Sequence, residues 1–324
     1  VKRLWQVREV STLMILLLEV LFFTWYLWPD SGSHPFLNVG NSLLILKYSS
    51  IYGIAAIGAA IVIITGGIDL APGAVIGFTS VVVGYCFVQL GWPLWMSACA
   101  GLGIGLTAGL SSAWLIVRMK LPPFIATLGV MGIWRGMGFV VTEGRFYDLS
   151  AKLPRNWTVS GISIDWVPPL VMITLAAVFQ IVMKRLQWGR AVFAVGGNET
   201  AALFSGVRVG VVKTTAYAIA GILASVSGVV LAVVQGQGKA DLANGYELDI
   251  IASAVVGGAS LSGGRGSVAG AVLGALIFGV LRNALPQIPG ATFYDRVIVG
   301  VAVIGIVVMD QVMVRRAART WQGE

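Results

Sequence analysis

Few residues in this sequence are of types that do chemistry, and their spacing matches none of the common catalytic or phosphate-binding arrangements. There is no G-x-x-x-x-G-K-[ST] loop to cradle a nucleotide phosphate, no H-E-x-x-H word to hold zinc and no G-x-S-x-G turn to present a nucleophilic serine. Aspartates in a D-x-x-x-D arrangement, which would hold magnesium for a prenyl transfer, are also missing. His34 is the only histidine, so neither a histidine metal cluster nor a histidine base within the apolar runs can be built. Cys86 and Cys99 both sit in apolar runs and read as inert thiols, without a disulfide or a metal. The chain is expected to hold no cofactor or metal of its own and to be no enzyme.

What remains are polar residues in unusual surroundings. Glu19 and Arg135 each fall inside a long apolar run. Such a charge costs about 2.5–3.5 kcal/mol at a membrane helix centre, so each is a functional candidate or must be neutralised or paired. A proton-coupled secondary carrier, or a passive solute channel, would be built on Glu19. A proton-driven carrier also needs a relay, and the two charges are far apart in sequence. Gln235 and Asn283 fall near helix ends and either line a polar path or bond a neighbouring helix. Asp69 can N-cap a helix that starts near Pro72. Two glycine-rich turns resemble each other, Gly66-Gly67-Ile68-Asp69-Leu70 through Gly73 and Gly257-Gly258-Ala259-Ser260-Leu261 through Gly264-Arg265, and hint at an internal repeat.

The stretch from Lys184 to Lys213 is different again. It is too polar to span a bilayer and carries Lys184, Arg185, Arg190, Arg208 and Lys213 against one acid, Glu199. Gly196-Gly197 breaks the chain, Asn198 can N-cap, and Glu199 lies in the first turn, where the positive end of the helix dipole favours an acid. Ala201, Ala202, Leu203 and Phe204 propagate a helix and Gly206 ends it. That predicts two turns, roughly 10 Å long. The segment is either an ordinary connector or a docking knob for a cytoplasmic partner.

The elements that must position these residues are membrane helices. Hydrophobic residues make up 57% of the 324 and charged residues only 11%, against about 25% charged in a soluble domain. So little charge cannot cover a water-facing surface, which makes this an all-α polytopic membrane protein in a single transmembrane domain over residues 1–324. The 42 glycines fit close helix packing. The net charge of +8 is read as basic cytoplasmic loops, because no basic patch interleaved with aromatics is present to grip nucleic acid.

Apolar runs predict about ten spanning helices: Val10 to Trp28, Asn41 to Thr65, from after Asp69 to Leu90, Leu94 to Val117, Pro122 to Val141, Val167 to Met183, Thr214 to Val234, Leu248 to Ser260, Ser267 to Leu285 and Tyr294 to Val314. The eighth is short for a bilayer. With both termini cytoplasmic, the inner segments hold 14 of the 22 basic residues and the outer loops four. That asymmetry supports the orientation. Trp25, Trp28, Trp92, Trp95 and Trp166 then lie near outer helix ends, as an aromatic belt.

Four words in the chain, GGIDLAPG at 66–73, PPFIATLG at 122–129, GRAVFAVGGNETAALFSGV at 189–207 and GYELDIIASAVVGGASLSGGRG at 245–266, resemble the inner-membrane permeases of ribose- and xylose-type ABC sugar importers. The resemblance implies a type II, vitamin B12-importer-like permease in the bacterial inner membrane. It implies a second permease copy or paralogue, two ABC ATPase subunits below that bind ATP and magnesium, and a periplasmic sugar-binding protein above. The ATPase-coupling helix carries over onto Glu199, Ala201, Ala202 and Gly206, behind the Asn198 cap; Gly66, Gly67, Asp69, Gly263, Gly264 and Arg265 lie in the two glycine-rich turns, which fall on the cytoplasmic side. Two positions depart from the family pattern. Ala71-Pro72 replaces Ser-Val, and Leu203 stands where an arginine is common. The implied mechanism is a helix bundle rocked between two packings by ATPase closure.

Overall fold

The computed structural model describes residues 2–27, 36–153, 158–159, 162–294 and seven isolated positions between 297 and 308. Most of the expected tenth span, the end of the first at Trp28, and His34 lie outside the described residues. Eleven α-helices are described: α1 (Lys2–Tyr26), α2 (Val39–Ile64), α3 (Pro72–Gly84), α4 (Leu94–Ala113), α5 (Pro123–Thr142), α6 (Val167–Arg185), α7 (Gln187–Gly197), α8 (Glu199–Phe204), α9 (Val209–Gln235), α10 (Tyr246–Val256) and α11 (Val268–Ala284). Each of α3 and α4 is prolonged by a π-helical turn, Tyr85–Gln89 and Trp114–Arg118. Eight of these helices, with their extensions, are long and apolar enough to cross a membrane.

The bundle is organised on α2 and α9. From Ser49 to Ile64 every residue of α2 is buried, because α9, α10, α11 and α6 surround it. The most extensive packing is between α4 and α9. There the backbones touch: a Cβ added to Gly105 would lie 2.1 Å from the carbonyl oxygen of Gly221, and the reverse substitution would clash as badly. Small residues let two membrane helices approach this closely, which supplies the dispersion contact that apolar solvent does not favour by itself. By contrast α1, α5 and α6 keep wide exposed apolar faces, with Leu18, Ile133, Val140 and Ile173 pointing outward.

One feature differs from the pattern expected of the sequence. The stretch before Asn198 is helical: α7 runs through Gly196 and Gly197, and it is Asn198, in extended conformation, that ends it. The eighth expected span, short for a bilayer, is α10, about 16 Å long at ~1.5 Å per residue, half of a bilayer core. The chain reaches its start by a two-residue pairing of Gln237–Gly238 with Tyr147–Asp148, then a run of turns over residues 240–245.

Candidate functional site

The α8 knob is capped at both ends. At its start the Asn198 side chain accepts the Ala201 N–H at 2.9 Å. At its end Gly206 takes φ +83, the Gly206 N–H bonds to Leu203 O and the Val207 N–H to Ala202 O, each at 3.0 Å. These two bonds close a Schellman cap, so a helix too short to persist alone holds its shape. Ala202 is buried against the bundle. Lys213 Nζ reaches Glu199 Oε2 at 2.7 Å. What is left outward is an apolar tip, Leu203 and Phe204, the latter 85% exposed.

Beneath the knob three backbones meet without side chains between them. Gly264 N–H donates to Ile64 O at 2.9 Å. A Cβ on Gly196 would fall 1.7 Å from that same carbonyl oxygen and 2.6 Å from Gly264 N, and one on Gly263 would fall 3.0 Å from Gly66 Cα. The turn after α2, the turn between α10 and α11, and the end of α7 are therefore one contact. The two turns that resemble each other in sequence touch each other in space. Gly67 lies under the Tyr217 hydroxyl, whereas the Arg265 side chain is exposed. Trp188 Nε1 donates to Thr215 Oγ1 at 2.7 Å and ties α7 to α9 as well.

Asp69 does not cap α3 as the sequence suggests. The N-cap of α3 is Ala71, and Pro72 occupies the first helical position. The Asp69 carboxylate instead accepts the Ala71 N–H at 2.9 Å, an Asx turn that ends on the N-cap residue. In this connection between the two helices its carboxyl is 4% exposed. Burial pushes its pKa up to about 6 against the pull of the Ala71 N–H.

A second polar assembly lies halfway through the bundle. Tyr246, at the start of α10, packs its ring at a tilt against Tyr52, centroids 4.7 Å apart, and Tyr52 is midway along α2. Thr79 of α3 bonds Ser225 of α9 at 3.0 Å, and Gly228 abuts Ile76, so the start of α3 lies beside the middle of α9. The two helix starts meet there: a Cβ on Gly73 would fall 2.1 Å from Glu247 Oε2. From this junction α3 runs toward one end of the bundle and α10 toward the other. Glu247 thus sits at the positive ends of two helices at once.

Arg135 meets it from α5, about 18 Å in from the start of that helix. It donates from Nη2 to Glu247 Oε2 at 3.2 Å and from Nη1 to Asn244 Oδ1 at 3.0 Å. Its side chain is 23% exposed and that of Glu247 12%. The turns before α10 lie along the glycine face of α3. Gly238 approaches Gly84 and Ser80, Ala240 approaches Gly77, and Ala243 approaches Gly73. Lys239 and Asp241 form an exposed pair at 3.0 Å, and Asn244 is exposed. Deeper in, Asp249 is fully buried and accepts from Arg282 Nη2 at 2.7 Å.

The sequence pointed to Arg135 but not to its partners. The available signal was the spacing of Gly73, Gly77 and Gly84, together with the acids Glu247 and Asp249 opening a helix too short to span. Asn283 lies elsewhere, bonded to Asn41 Oδ1 at 2.9 Å between α11 and α2. Gln235 is exposed at the end of α9. Among the described residues no hydrogen bond joins the two. Glu19 lies on the peripheral α1, and its Oε2 is buried without a hydrogen-bond partner among the described residues.

The family model described as "Branched-chain amino acid transport system / permease component" matches residues 41–307. Among curated proteins the chain is 32% identical to the probable ABC transporter permease protein YphD of Escherichia coli, over 97% of this chain and 92% of that one. It is 35% identical to the ribose import permease protein RbsC of Bacillus subtilis, over 85% of this chain and 86% of that one. It is 31% identical to the xylose transport system permease protein XylH of Escherichia coli, over 92% of this chain and 90% of that one.

Proposed function

Since the chain belongs to the family of branched-chain amino acid transport system permease components, we propose that it is the membrane subunit of an ATP-driven importer, and that it passes a monosaccharide of the ribose or xylose kind into the cytoplasm. The choice of sugar over amino acid follows the ribose and xylose permeases among the curated relatives, each matched over 86–94% of its length. It is a multi-pass protein of the inner membrane, and the ATPase that drives it is a separate subunit holding ATP and magnesium. The architecture is of type II, with ten spans and both termini cytoplasmic. Arg118, Lys120, Arg185, Arg190, Arg208 and Arg265 all belong to the end of the bundle that carries α8, and a basic end is a cytoplasmic end. A periplasmic sugar-binding protein delivers to the opposite end.

The observation that carries this reading is the double-capped α8 with Phe204 exposed at its tip and a side-chain-free seat below. Asn198, Glu199, Ala201, Ala202 and Gly206 build a rigid knob. Gly66, Gly67, Asp69, Gly263, Gly264 and Arg265 belong to the turns that receive its motion. A motor that moves the knob moves the ends of α2, α7 and α10 with it. A second permease copy faces α5 and the turns before α10 across the translocation path, which stays wet between the two copies. Arg135, Asp241 and Asn244 reach the surface there at membrane depth, where lipid tails cannot solvate them. A proton carrier working through Glu19 has no such support, because among the described residues no hydrogen-bond partner meets its buried Oε2 to begin a relay.

The test is reconstitution. Vesicles holding permease, ATPase and binding protein should take up ribose or xylose only with ATP inside the ATPase compartment. Uptake by the permease alone under a proton gradient would overturn the reading.

A further inference from the structure

The junction of α3 and α10 has a chemistry that the coupling role does not use. Two charged side chains and an amide are held together in the middle of the bundle, partly exposed, on a face that also bears exposed Lys239 and Asp241. The backbone beside them is not helical from residue 239 to 245. Irregular backbone at membrane depth persists only where protein buries it or where it lines a wet cavity. Here the glycine face of α3 buries one side, and Asn244 and Asp241 look out from the other. The Asp249 carboxylate, fully buried against Arg282, has no such opening, whereas Glu247 and Arg135 are both part-exposed and share their contact with the exposed Asn244.

We propose that Arg135, Asn244 and Glu247 form a solute-holding site halfway along the translocation path, specific for a small neutral molecule with adjacent hydroxyl groups. The geometry suits such a ligand. One hydroxyl donates to a Glu247 oxygen and accepts from an Arg135 Nη, while its neighbour accepts from Arg135 and bonds the Asn244 amide. The ligand's hydroxyls replace bonds of 3.0–3.2 Å that the three residues make with one another. The exchange therefore leaves no charge unpaired and holds the solute weakly enough to let it go. An anion is disfavoured by Glu247, and a cation by Arg135. Gly73 is required because a side chain there would occupy the place of the Glu247 carboxylate. This inference rests on the importer reading, since it needs a solute to pass.

The experiment uses the full complex in vesicles, with Cys99→Ser to remove the exposed native thiol. Asp241→Cys, exposed beside the site but not one of its three residues, is treated with a water-soluble methanethiosulfonate, and Ile173→Cys on the exposed face of α6 serves as the lipid-facing control. Thiols react as thiolates and need water. Asp241→Cys should label about tenfold faster than Ile173→Cys or more, and saturating ribose or xylose should slow it several-fold. In the paired variant Arg135→Gln/Glu247→Gln, which leaves no lone charge, sugar uptake should fall about tenfold or more. Its ATPase activity stimulated by the binding protein should persist. Equal labelling of the two cysteines, or labelling indifferent to a sugar that the parent complex transports, overturns the site and leaves the importer reading intact. Absence of ATP-driven uptake of any sugar by the parent complex overturns the importer reading itself.

Discussion

Gly196→Ala perturbs the seat of the knob and nothing else. The new methyl would stand 1.7 Å from Ile64 O, where ordinary contact is 3.4 Å or more. The end of α7 must therefore withdraw by about 1.5 Å or more. The obstacle is backbone, so no side chain can swing away. Withdrawal of the turns with it stretches the Gly264 N–H to Ile64 O bond from 2.9 Å beyond useful length. A buried amide left without a partner costs about 1–3 kcal/mol. Helix propensity gives back up to ~1 kcal/mol, because alanine replaces glycine inside α7.

The neighbouring Gly197 isolates that second effect. It lies in the same helix, and a methyl there meets nothing within 4 Å. Gly197→Ala should be neutral or slightly stabilising, and Gly196→Ala destabilising by about 1–3 kcal/mol relative to it. The assay is thermal unfolding of the two purified variants, with sugar transported per ATP hydrolysed in vesicles as the second readout. Gly196→Ala should lower both, and Gly197→Ala neither. Identical behaviour of the two would refute the claim that the three backbones form one contact.

Further consequences follow from other residues. Asn198→Ala removes the cap on the Ala201 N–H and should cost α8 about 1 kcal/mol, seen as weaker co-purification of the ATPase with an unchanged unfolding temperature of the bundle. Glu199→Lys places two ammonium groups where an ion pair stands, and should lower uptake while leaving membrane insertion unchanged. For Asp69 the folded carboxyl, near 6, holds its proton more tightly than the unfolded one, near 3.8. Its contribution to stability is therefore lost as pH rises from about 4 to about 6, on the order of 2–3 kcal/mol. Asp69→Asn keeps the oxygen that accepts the Ala71 N–H. It should flatten that slope and raise the unfolding temperature at pH 7; an unchanged pH profile would contradict the burial argument.

Much of this protein was legible before its structure because its strongest signals are local. The apolar runs place α2, α4, α5 and α9 within a few residues, since a bilayer demands about 20 consecutive apolar residues for a span. Asn198 and Gly206 announce α8 by their capping chemistry alone. The end of α7 departs from expectation because Gly196-Gly197 is a pair that ordinarily breaks helices. Glycine is needed at 196 because Ile64 O and Gly264 N leave no room for a side chain there, and the helix runs on until the extended Asn198 ends it. Asp69 misses the cap by two residues, as Pro72 fixes the first helical position and leaves the carboxylate to the Ala71 N–H instead. The junction of α3, α5 and α10 was out of reach for another reason. Arg135 and Glu247 are 112 residues apart, and only the interruption of two helices at one depth brings them together. A short apolar run at α10 marks a half-span, but it does not say which other half-span it meets.

The most direct test of the account is to ask what Phe204 touches. A photo-reactive amino acid at Phe204, in the complex assembled in membranes, should capture the ATPase subunit, and the same group at Trp25, exposed near the opposite end of the bundle, should not. Capture of the ATPase from position 204 alone is the predicted result. Capture of the sugar-binding protein there, or capture of the ATPase from position 25, would contradict a gate that is worked through α8.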